Sequence, residues 1–376
     1  MKVAIISRGW WPAIKGGSEK FIYRIALGLS KKGYETYVVT RQAKDLSNDV
    51  SYSFLLVKHK ILLPIVSTYT FSRKAGSLVN KLNPDIAIAN SYWGETSLLY
   101  IKKEIKKIAV IHDVGLFRSP LAKRDLIKHV LRTNALKKVT RETGLIVVPS
   151  EIVKQDLIRF LRVDEHKIRV LGFEGVDGPF QYSYFDNGKI DIVQVGRYAP
   201  NKGQVILLKA IEIVSDKIKN SNITIKVHIA GSLTSKKYYN EVAHIAERIN
   251  KKLGQEVIKV LLNIEDKDIE HLYRIAYICV APSIGEEGYG QTILKCMAHG
   301  KPVIASDVFK ETGIADNDRA IIVPRGDITE LANAILDYIS NPNKFKAITE
   351  KGLEFARKCT WENVVNKFEE YIKELK

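Results

Sequence analysis

Short apolar runs alternate with longer amphipathic stretches along the whole chain, and this alternation limits the possible folds more than any other feature. In the first half the runs are KVAIIS, TYVVT, IAIAN, IAVIHD and LIVVPS, and in the second half IDIVQVG, KVHIAG, VIKVLL, AYICVAPS and PVIAS. Buried strands that are each followed by a helix are typical of parallel sheets built from β-α-β units. The sequence therefore predicts an α/β fold.

The length of the chain predicts two domains. At 376 residues it is too long for one ordinary core. The β-α-β pattern is interrupted once, by a stretch rich in Gly, aromatic and turn-forming residues. We predict a Rossmann-like domain over residues 1–175, a linker over 176–188 and a second Rossmann-like domain over 189–358. The last segment, 359–376, has a helical pattern and is expected to pack back on the first domain.

The positive charge is confined to the first half. Residues 1–175 contain 31 Lys and Arg against 15 Asp and Glu, a net charge of +16, whereas the remainder contains 28 against 27, a net charge of +1. Such asymmetry predicts an anionic partner for the first half, such as a phosphorylated lipid, an acidic membrane surface or an acidic glycan. Nucleic acid is not expected, because the sequence has no recognisable nucleic-acid-reading module or interleaved aromatic stripe.

The compartment is expected to be the cytoplasm, with peripheral association at the inner face of the membrane as an extension. The three cysteines show no Cys-x-x-Cys or metal-ligand spacing and are interpreted as core thiols in a reducing environment. The apolar run at residues 1–7 reads as a first strand rather than a signal peptide. No apolar stretch has the length of a membrane span.

Two glycines, Gly16 and Gly17, stand between the first predicted strand and the first predicted helix. At such a junction the backbone can approach a phosphate, and the start of the helix offers N–H groups to an anion. Taken alone, a doubled glycine is more often an ordinary tight turn. The full G-x-G-x-x-G fingerprint is absent, which disfavours a nicotinamide-dependent oxidoreductase.

Two cations follow the strand that opens the second half. Arg197 and Lys202 lie at its carboxyl end, where open α/β sheets bind ligands. Arginine can bind two phosphate oxygens at once and lysine acts as a point charge, so the pair suits a diphosphate whose negative charge grows as a bond to it breaks. The alternative is a solvated pair that caps loop carbonyls.

A glycine-rich loop, Glu287-Gly288-Tyr289-Gly290, joins a predicted strand to a helix that begins at Gln291. Glycines allow backbone N–H groups near a sugar or phosphate, and Glu287 can accept hydrogen bonds from sugar hydroxyls. The segment therefore indicates a sugar-phosphate pocket, with an ordinary loop as the alternative. Two acidic clusters, 265–268 and 316–318, are interpreted as turn and capping residues, and no metal site is expected.

Several ordered motifs together resemble the retaining family 4 of glycosyltransferases. They are Gly16-Gly17, His112-Asp113, the V-P-S ending at Ser150, Gly196-Arg197 with Lys202-Gly203, the segment from Glu287 to Ser306, and Thr360-Trp361-Glu362. The resemblance implies the GT-B fold, in which two Rossmann-like domains face each other across a cleft. It further implies that the second domain binds a nucleotide diphosphate sugar, the first binds a glycan or lipid-linked acceptor, and no other cofactor is needed.

The same resemblance implies roles for individual residues. Arg197 and Lys202 would hold the donor diphosphate, Glu287 would bind the transferred sugar, and His112 would lie near the reacting carbon. A His that ends an apolar strand can also be an ordinary core residue. The remaining implied donor contacts are Gly16, Gly17, Gly288, Tyr289, Gly290, Gln291, Thr292 and Lys295.

Lys295 departs from the family pattern. The family has a second glutamate at this position, eight residues after the first, which accepts hydrogen bonds from the ribose hydroxyls. Lysine has donors but no acceptor, so it cannot take that role. Ribose would then be held differently, with help from Glu286, or Lys295 would add a third cation to the diphosphate site. The remaining alternative is a catalytically silent relative that binds a nucleotide or glycan.

The acceptor side is predicted from charge and aromatic residues in the first half. Arg124, Lys128 and Arg132 have the i, i+4 spacing of one helical face, which suggests a basic helix at an anionic membrane surface. A solvated face of a surface helix is the alternative. Trp10 and Trp11 precede the Gly16-Gly17 loop and would line an acceptor groove, enter lipid or pack internally.

Overall fold

The computed structural model describes residues 1–14, 16–41, 52–58, 64–90, 94–112, 114, 126–182, 189–285 and 287–375. For residues 64–66 and 126–129 it describes the helical backbone only. The chain divides into two compact units. Unit 1 comprises Met1–Gly175 together with Trp361–Lys376, and unit 2 comprises Val176–Thr360. The C-terminal segment therefore belongs to the first unit.

Unit 1 contains a seven-stranded sheet in the order β3-β2-β1-β4-β5-β6-β7. All neighbouring strands are parallel. The strands are β1 Lys2–Ile6, β2 Glu35–Thr40, β3 Ser53–Leu56, β4 Ile86–Asn90, β5 Lys106–Val110, β6 Leu145–Val148 and β7 Ile168–Val170. The helices are α1 Gly17–Lys31, α2 Pro64–Leu82, α3 Leu126–Glu142, α4 Glu151–Leu161 and, at the end of the chain, α12 Trp361–Glu374.

Both faces of this sheet are covered, which explains why most residues of its strands are apolar. Val3 and Ile5 of β1 belong to one buried cluster, and Ala4 and Ile6 belong to another. Successive side chains of a strand point to opposite faces, so each strand supplies both cores. The first cluster includes Val365 and its apolar neighbours on α12. The final helix is thus part of the core of unit 1.

Unit 2 contains a six-stranded parallel sheet in the order β10-β9-β8-β11-β12-β13. Its strands are β8 Lys189–Val195, β9 Thr224–Gly231, β10 Ile258–Leu262, β11 Ile278–Ala281, β12 Val303–Ser306 and β13 Ile321–Val323. Its helices are α5 Gln204–Ile218, α6 Lys236–Leu253, α7 Asp266–Ile275, α8 Gln291–Ala298, α9 Val308–Glu311, α10 Ile328–Ser340 and α11 Lys346–Lys358.

Each sheet reverses its strand order beside its first strand. In unit 1 the reversal lies between β1 and β4, and in unit 2 it lies between β8 and β11. At such a switch point the loops that leave the carboxyl ends of the two strands diverge and leave a crevice, which is where open α/β sheets bind ligands. The loops after these four strands are therefore the places to look for a functional site.

One expectation about the cysteines is wrong. Cys279 on β11 and Cys296 on α8 form a disulfide, with their Cα atoms 6.3 Å apart. The two residues are 17 positions apart in sequence, so their spacing resembles no short motif, and only the packing of α8 beside β11 brings them together. Cys359 is a free, buried thiol, as expected, and burial raises its pKa to about 12.

Candidate functional site

Lys202 and Glu287 meet at the switch point of unit 2. Lys202 ends a short 3-10 helix, Pro200–Lys202, which follows β8, and Glu287 lies in the loop after β11. The Lys202 Nζ lies 2.7 Å and 2.6 Å from the two carboxylate oxygens of Glu287. The Ser283 hydroxyl donates to Glu287 Oε1 at 2.6 Å. With side-chain exposures of 20% and 7%, the Lys202–Glu287 pair is mostly shielded from water, so its charge-assisted bonds are strong.

Backbone contacts fix the two loops against each other. The Asn201 carbonyl oxygen accepts hydrogen bonds from the backbone N–H groups of Ile284 at 2.9 Å and Gly285 at 3.3 Å. Gly203 has a φ of +68°, and a Cβ there would lie 1.9 Å from the Pro282 carbonyl oxygen. Only glycine suits both the left-handed conformation and this close approach. The position of Lys202 relative to Glu287 is therefore set by the backbone.

Arg197 lies at the same edge of the sheet. It is separated from the end of β8 by Gly196 and is exposed. Its side chain forms no hydrogen bond or ion pair within the part of the chain that the structure describes. Its backbone carbonyl accepts from the Gln204 side chain at 3.0 Å, which anchors the residue while leaving the guanidinium in solvent. The structure thus places a half-buried, paired cation, Lys202, and an exposed cation, Arg197, in neighbouring parts of one loop.

Helix α8 begins beside this loop. Gly290, its N-cap, has a φ of +116°, and its carbonyl accepts from the N–H groups of Ile293 and Leu294. Gly288, Gln291 and Thr292 are half-buried around this helix start, where the backbone carries partial positive charge. Tyr289, in contrast, is only 3% exposed, and its predicted contact with the donor stays a prediction.

Lys295 is paired rather than free. Its Nζ lies 2.9 Å from Glu270 Oε1 on α7, and His299 Nε2 lies 3.1 Å from Glu270 Oε2. Lys295 also lies over the Tyr273 ring at 5.7 Å. Burial favours the neutral form of Glu270, but the hydrogen bond with His299 and the charge of Lys295 outweigh it and lower the pKa of Glu270 to about 2. A carboxylate is therefore present beside Lys295, although on another helix.

In unit 1, His112 follows β5 and is held by Asn90 at the end of β4. His112 Nε2 lies 2.9 Å from Asn90 Oδ1, while Asn90 Nδ2 donates to the Ser18 carbonyl at 3.2 Å. Because the Asn90 amide nitrogen is used as a donor, its oxygen must accept, and this assigns the proton to His112 Nε2. His112 Nδ1 lies 4.0 Å from the Glu174 carboxylate. The ring orientation is therefore well defined.

The glycine pair is joined to the same network through Ser18. Gly16 is the N-cap of α1 and Gly17 its first residue, with no side-chain cap. A Cβ at Gly16 would lie 2.1 Å from Glu19 Oε2, whereas a Cβ at Gly17 would have no atom within 4 Å. The start of α1 is thus open at Gly17, and the Asn90 bond to Ser18 ties it to His112.

Trp10 and Arg132, which were assigned to the acceptor or membrane side, are both buried. For Trp10 this is the internal packing that the sequence left open, and for Arg132 it is a correction. Trp10 is 1% exposed and packs against Tyr23, Tyr52 and Phe54. Arg132 is 8% exposed and forms an ion pair with the fully buried Glu95. A buried acidic partner therefore turns this arginine inward.

The other residues of that prediction have different outcomes. Trp11 is half-buried, with the Lys20 ammonium 5.7 Å from its ring. Lys128 lies on α3, but its side chain is outside the described residues, as are Arg124, Asp113 and Glu286 altogether. Asp316, from one acidic cluster, accepts from the backbone N–H groups of Asp318 and Arg319 at 3.1 Å, as expected of a capping residue.

Three partners of the predicted site residues were not singled out from the sequence. Ser283 and Asn90 each lie at or just after the carboxyl end of a strand, and a polar residue at that point is the signal that could have identified them. Glu270 gives no such signal, since it is an ordinary polar position in an amphipathic helix. The structure therefore assembles two clusters, Lys202–Glu287–Ser283 in unit 2 and His112–Asn90–Ser18 in unit 1.

The chain matches two profiles of known families. The one described as Glycosyltransferase Family 4 matches residues 15–172, and the one described as Glycosyl transferases group 1 matches residues 180–355. The chain belongs to glycosyltransferase family 4. This family membership confirms the resemblance drawn from the motifs, all of which except Thr360-Trp361-Glu362 lie in the matched segments.

Several relatives of similar sequence are also named as glycosyltransferases. The family 4 chain is 28% identical over 178 residues to a phosphatidyl-myo-inositol mannosyltransferase of Mycobacterium leprae, covering 46% of this chain and 44% of that one. It is 28% identical to an uncharacterized glycosyltransferase of Methanocaldococcus jannaschii, covering 61% and 59%. These matches span about half the length of those relatives. A D-inositol 3-phosphate glycosyltransferase of Corynebacterium glutamicum is 22% identical, covering 96% and 94%.

Solved structures confirm the GT-B class of fold. Sucrose-phosphate synthase of Thermosynechococcus elongatus has a TM-score of 0.83 at 17% identity and covers 100% of this chain and 98% of its own. Anabaena HepE, solved in complex with UDP, has a TM-score of 0.77 at 16% identity and covers 100% of both chains. Among the described residues of this family 4 chain, no helix is long and apolar enough to cross a membrane.

Proposed function

We propose that this protein is a retaining, metal-independent glycosyltransferase that moves a hexose from a nucleotide diphosphate sugar to an acceptor. The observation that carries the proposal is the Lys202–Glu287–Ser283 cluster at the carboxyl edge of unit 2, with Arg197 beside it. A cation and a carboxylate held together at a switch point suit a ligand that joins a diphosphate to a polyhydroxylated sugar.

In the proposed reaction, Lys202 and Arg197 stabilise the charge that develops on the diphosphate as the bond to the sugar breaks. Lysine has three N–H donors, so Lys202 can keep one bond to Glu287 while it donates another to phosphate. Glu287, held by Ser283 and Lys202, would accept hydrogen bonds from the sugar. The starts of α1 and α8 carry partial positive charge. Their backbone N–H groups would add donors at Gly16, Gly17, Gln291 and Thr292.

Retention would follow from attack on the face from which the diphosphate leaves, with a phosphate oxygen taking the proton of the acceptor hydroxyl. This route uses no protein nucleophile. Fixed cations and helix starts would neutralise the charge that a divalent metal neutralises elsewhere. His112, whose ring Asn90 orients, is expected to contact the transferred sugar.

The acceptor is proposed to carry an anionic group, attached to a lipid or a glycan. Two relatives are named for acceptors with phosphate, phosphatidyl-myo-inositol and D-inositol 3-phosphate. The net charge of +16 on residues 1–175 is of the right sign for such an acceptor and for peripheral binding at an anionic membrane in the cytoplasm.

A catalytically silent nucleotide- or glycan-binding relative is the second candidate. The observation in its favour is Lys295, which stands where the family has a carboxylate and is engaged by Glu270. Donor binding without transfer is the outcome that would favour this candidate.

A ligand panel followed by a product analysis tests the proposal. UDP, GDP, ADP and their glucose, mannose and N-acetylglucosamine conjugates are added in the presence of EDTA, and the melting temperature is measured. A specific donor raises it by mass action. Transfer from that donor is then followed, and NMR identifies the product anomer. No shift with any nucleotide would reject the donor site, and an inverted product would reject the mechanism. Activity that EDTA abolishes and Mg²⁺ restores would reject metal independence.

A further inference from the structure

Two arginines stand side by side at the carboxyl edge of the first sheet. Strands β1 and β2 pair in parallel with Lys2 opposite Glu35 and Ile6 opposite Val39. The Ser7 N–H donates to the Val39 carbonyl at 3.1 Å, so the ladder continues past the last pair. The same offset sets Arg8 level with Arg41, immediately beyond both strands. Because neighbouring strands are about 4.8 Å apart, the two side chains start from adjacent backbone positions.

Neither guanidinium has a carboxylate partner within the part of the chain that the structure describes. Arg8 donates instead to two neutral hydroxyls of α2, Thr68 Oγ1 at 3.0 Å and Ser67 Oγ at 3.2 Å. The Nε of Arg41 is buried without a hydrogen-bond partner. Burial and the neighbouring charge of Arg41 lower the pKa of Arg8 below its usual value. Within the described residues, the fold therefore holds two partly buried like charges near each other and no carboxylate that neutralises them.

This arrangement has a cost that a bound anion would remove. Like charges repel more strongly when they are partly shielded from water, and a buried donor without a partner loses a hydrogen bond. Ordinary structural arginines are paired with carboxylates, as Arg132 is with Glu95 in the same unit. Arg8 and Arg41 differ from Arg132 because they have no carboxylate partner among the described residues, and their charges are therefore available to an anion.

We propose that Arg8 and Arg41 together bind a phosphate group of the acceptor. Guanidinium groups donate two parallel hydrogen bonds to phosphate oxygens, and a pair of them matches a dianion in charge. Thr68 and Ser67 hold the Arg8 side chain in place. The inference rests on the proposed function, since it assigns the substrate class on the acceptor side. The two residues lie at the same sheet edge as His112, which follows β5.

The test separates this site from the diphosphate site of unit 2. Binding of inorganic phosphate and of glycerol 3-phosphate is measured by calorimetry in the Lys202→Ala background, with glycerol and acetate as neutral and carboxylate probes. Arg8→Gln and Arg41→Gln are compared with Arg141→Gln, which removes one exposed charge from the same unit. We expect either variant to weaken phosphate binding by roughly tenfold or more. Arg141→Gln should leave it unchanged, and glycerol should not bind.

A second arm distinguishes failure of this inference from failure of the proposed function. Nucleoside diphosphate binding is measured in the same arginine variants with Lys202 intact, and it should be retained. If Arg8→Gln does not fold, Arg8→Lys and Thr68→Val are used in its place, and both should weaken phosphate binding. Sedimentation with phosphatidylglycerol vesicles, compared with phosphatidylcholine, tells a lipid headgroup from a free phosphate ester. Equal phosphate affinity in all the arginine variants, or acetate binding as tight as phosphate, would overturn the assignment.

Discussion

At the scale of single residues, the half-buried ion pair of Lys202 and Glu287 leads to a specific prediction. Lys202→Ala removes the cation that we propose for the developing phosphate charge, and it leaves a carboxylate that is 7% exposed without its cation. We expect transfer to fall roughly a hundredfold or more, and the unpaired carboxylate to lower the stability of the folded protein. Arg197→Ala should lower transfer similarly without lowering stability. Initial rates with the donor identified by the ligand panel are the measurement. Lys209→Ala, an exposed lysine on α5, is the matched control, and full activity of Lys202→Ala would remove the phosphate site.

Glu270 is the residue best placed to replace the carboxylate that position 295 lacks. Its oxygens are held by Lys295 and His299, and its pKa of about 2 keeps it ionised. We predict that Glu270→Gln weakens nucleoside diphosphate binding about tenfold, and that 2′-deoxynucleotides lose less than ribonucleotides. Restoring the family residue with Lys295→Glu in the Glu270→Gln background should recover affinity. Glu212→Gln, a carboxylate that pairs with Arg248 and Lys252, is the control. Unchanged ribonucleotide affinity in Glu270→Gln would show that ribose is bound elsewhere.

At the scale of elements, α12 packs closely against α1 at Gly28. A Cβ at Gly28 would lie 2.4 Å from Val365 Cγ2. Alanine normally stabilises a helix relative to glycine. If Gly28→Ala destabilises the protein, the cause is therefore the close contact with Val365. We expect a loss of roughly 1–3 kcal/mol in the free energy of unfolding, measured by urea denaturation. Val365→Ala should rescue it in the double variant, and a stabilised Gly28→Ala would show that the helices separate freely.

The same helix pair carries a pH-dependent contact. Glu369 on α12 accepts from Lys32 and from Tyr34, each at 2.9 Å. The bond from Lys32 outweighs burial, and the pKa of Glu369 is lowered to about 2. A depressed carboxylate pKa stabilises the folded state above the unfolded value near 4.5, and this stabilisation is lost as pH falls from there towards 2. Glu369→Gln should therefore cost about 1 kcal/mol at pH 7 and less at pH 3, measured as denaturation midpoints. Glu370→Gln, an exposed neighbour, should cost little at either pH.

At the scale of the whole molecule, the sequence predicted what depends on local pattern and missed what depends on distant partners. All ten apolar runs form strands, because a strand that is buried on both faces must consist mostly of apolar residues. The short strands β3, β7 and β13 lie at sheet edges, where burial is weaker and the pattern fades. Lys202 and Glu287 were predicted from their loops, yet their mutual bond was not. The inward turn of Arg132, the Cys279–Cys296 disulfide and the Lys295–Glu270 pair all depend on residues that only the folded chain brings near.

The charge asymmetry of the molecule leads to the last prediction. If the basic first half meets an anionic surface, the protein should sediment with vesicles that contain phosphatidylglycerol and not with phosphatidylcholine alone. Each basic residue near such a surface contributes about 1 kcal/mol, so a few cooperating residues suffice at low salt. Screening limits their reach to about 8 Å at physiological ionic strength, so binding should fall steeply as salt rises.

Because Arg132 is buried, the variant that tests this prediction must use exposed residues of unit 1. Lys102, Lys103 and Lys138 are exposed, and changing all three to Gln should weaken vesicle binding while sparing nucleotide binding. The control changes Lys226, Lys236 and Lys237 of unit 2, which are equally exposed and remove the same charge. Equal losses in both triple variants would mean that total charge alone drives binding. Salt-insensitive binding, or equal binding to neutral vesicles, would contradict an electrostatic membrane role, and the charge of +16 would then serve a soluble anionic acceptor.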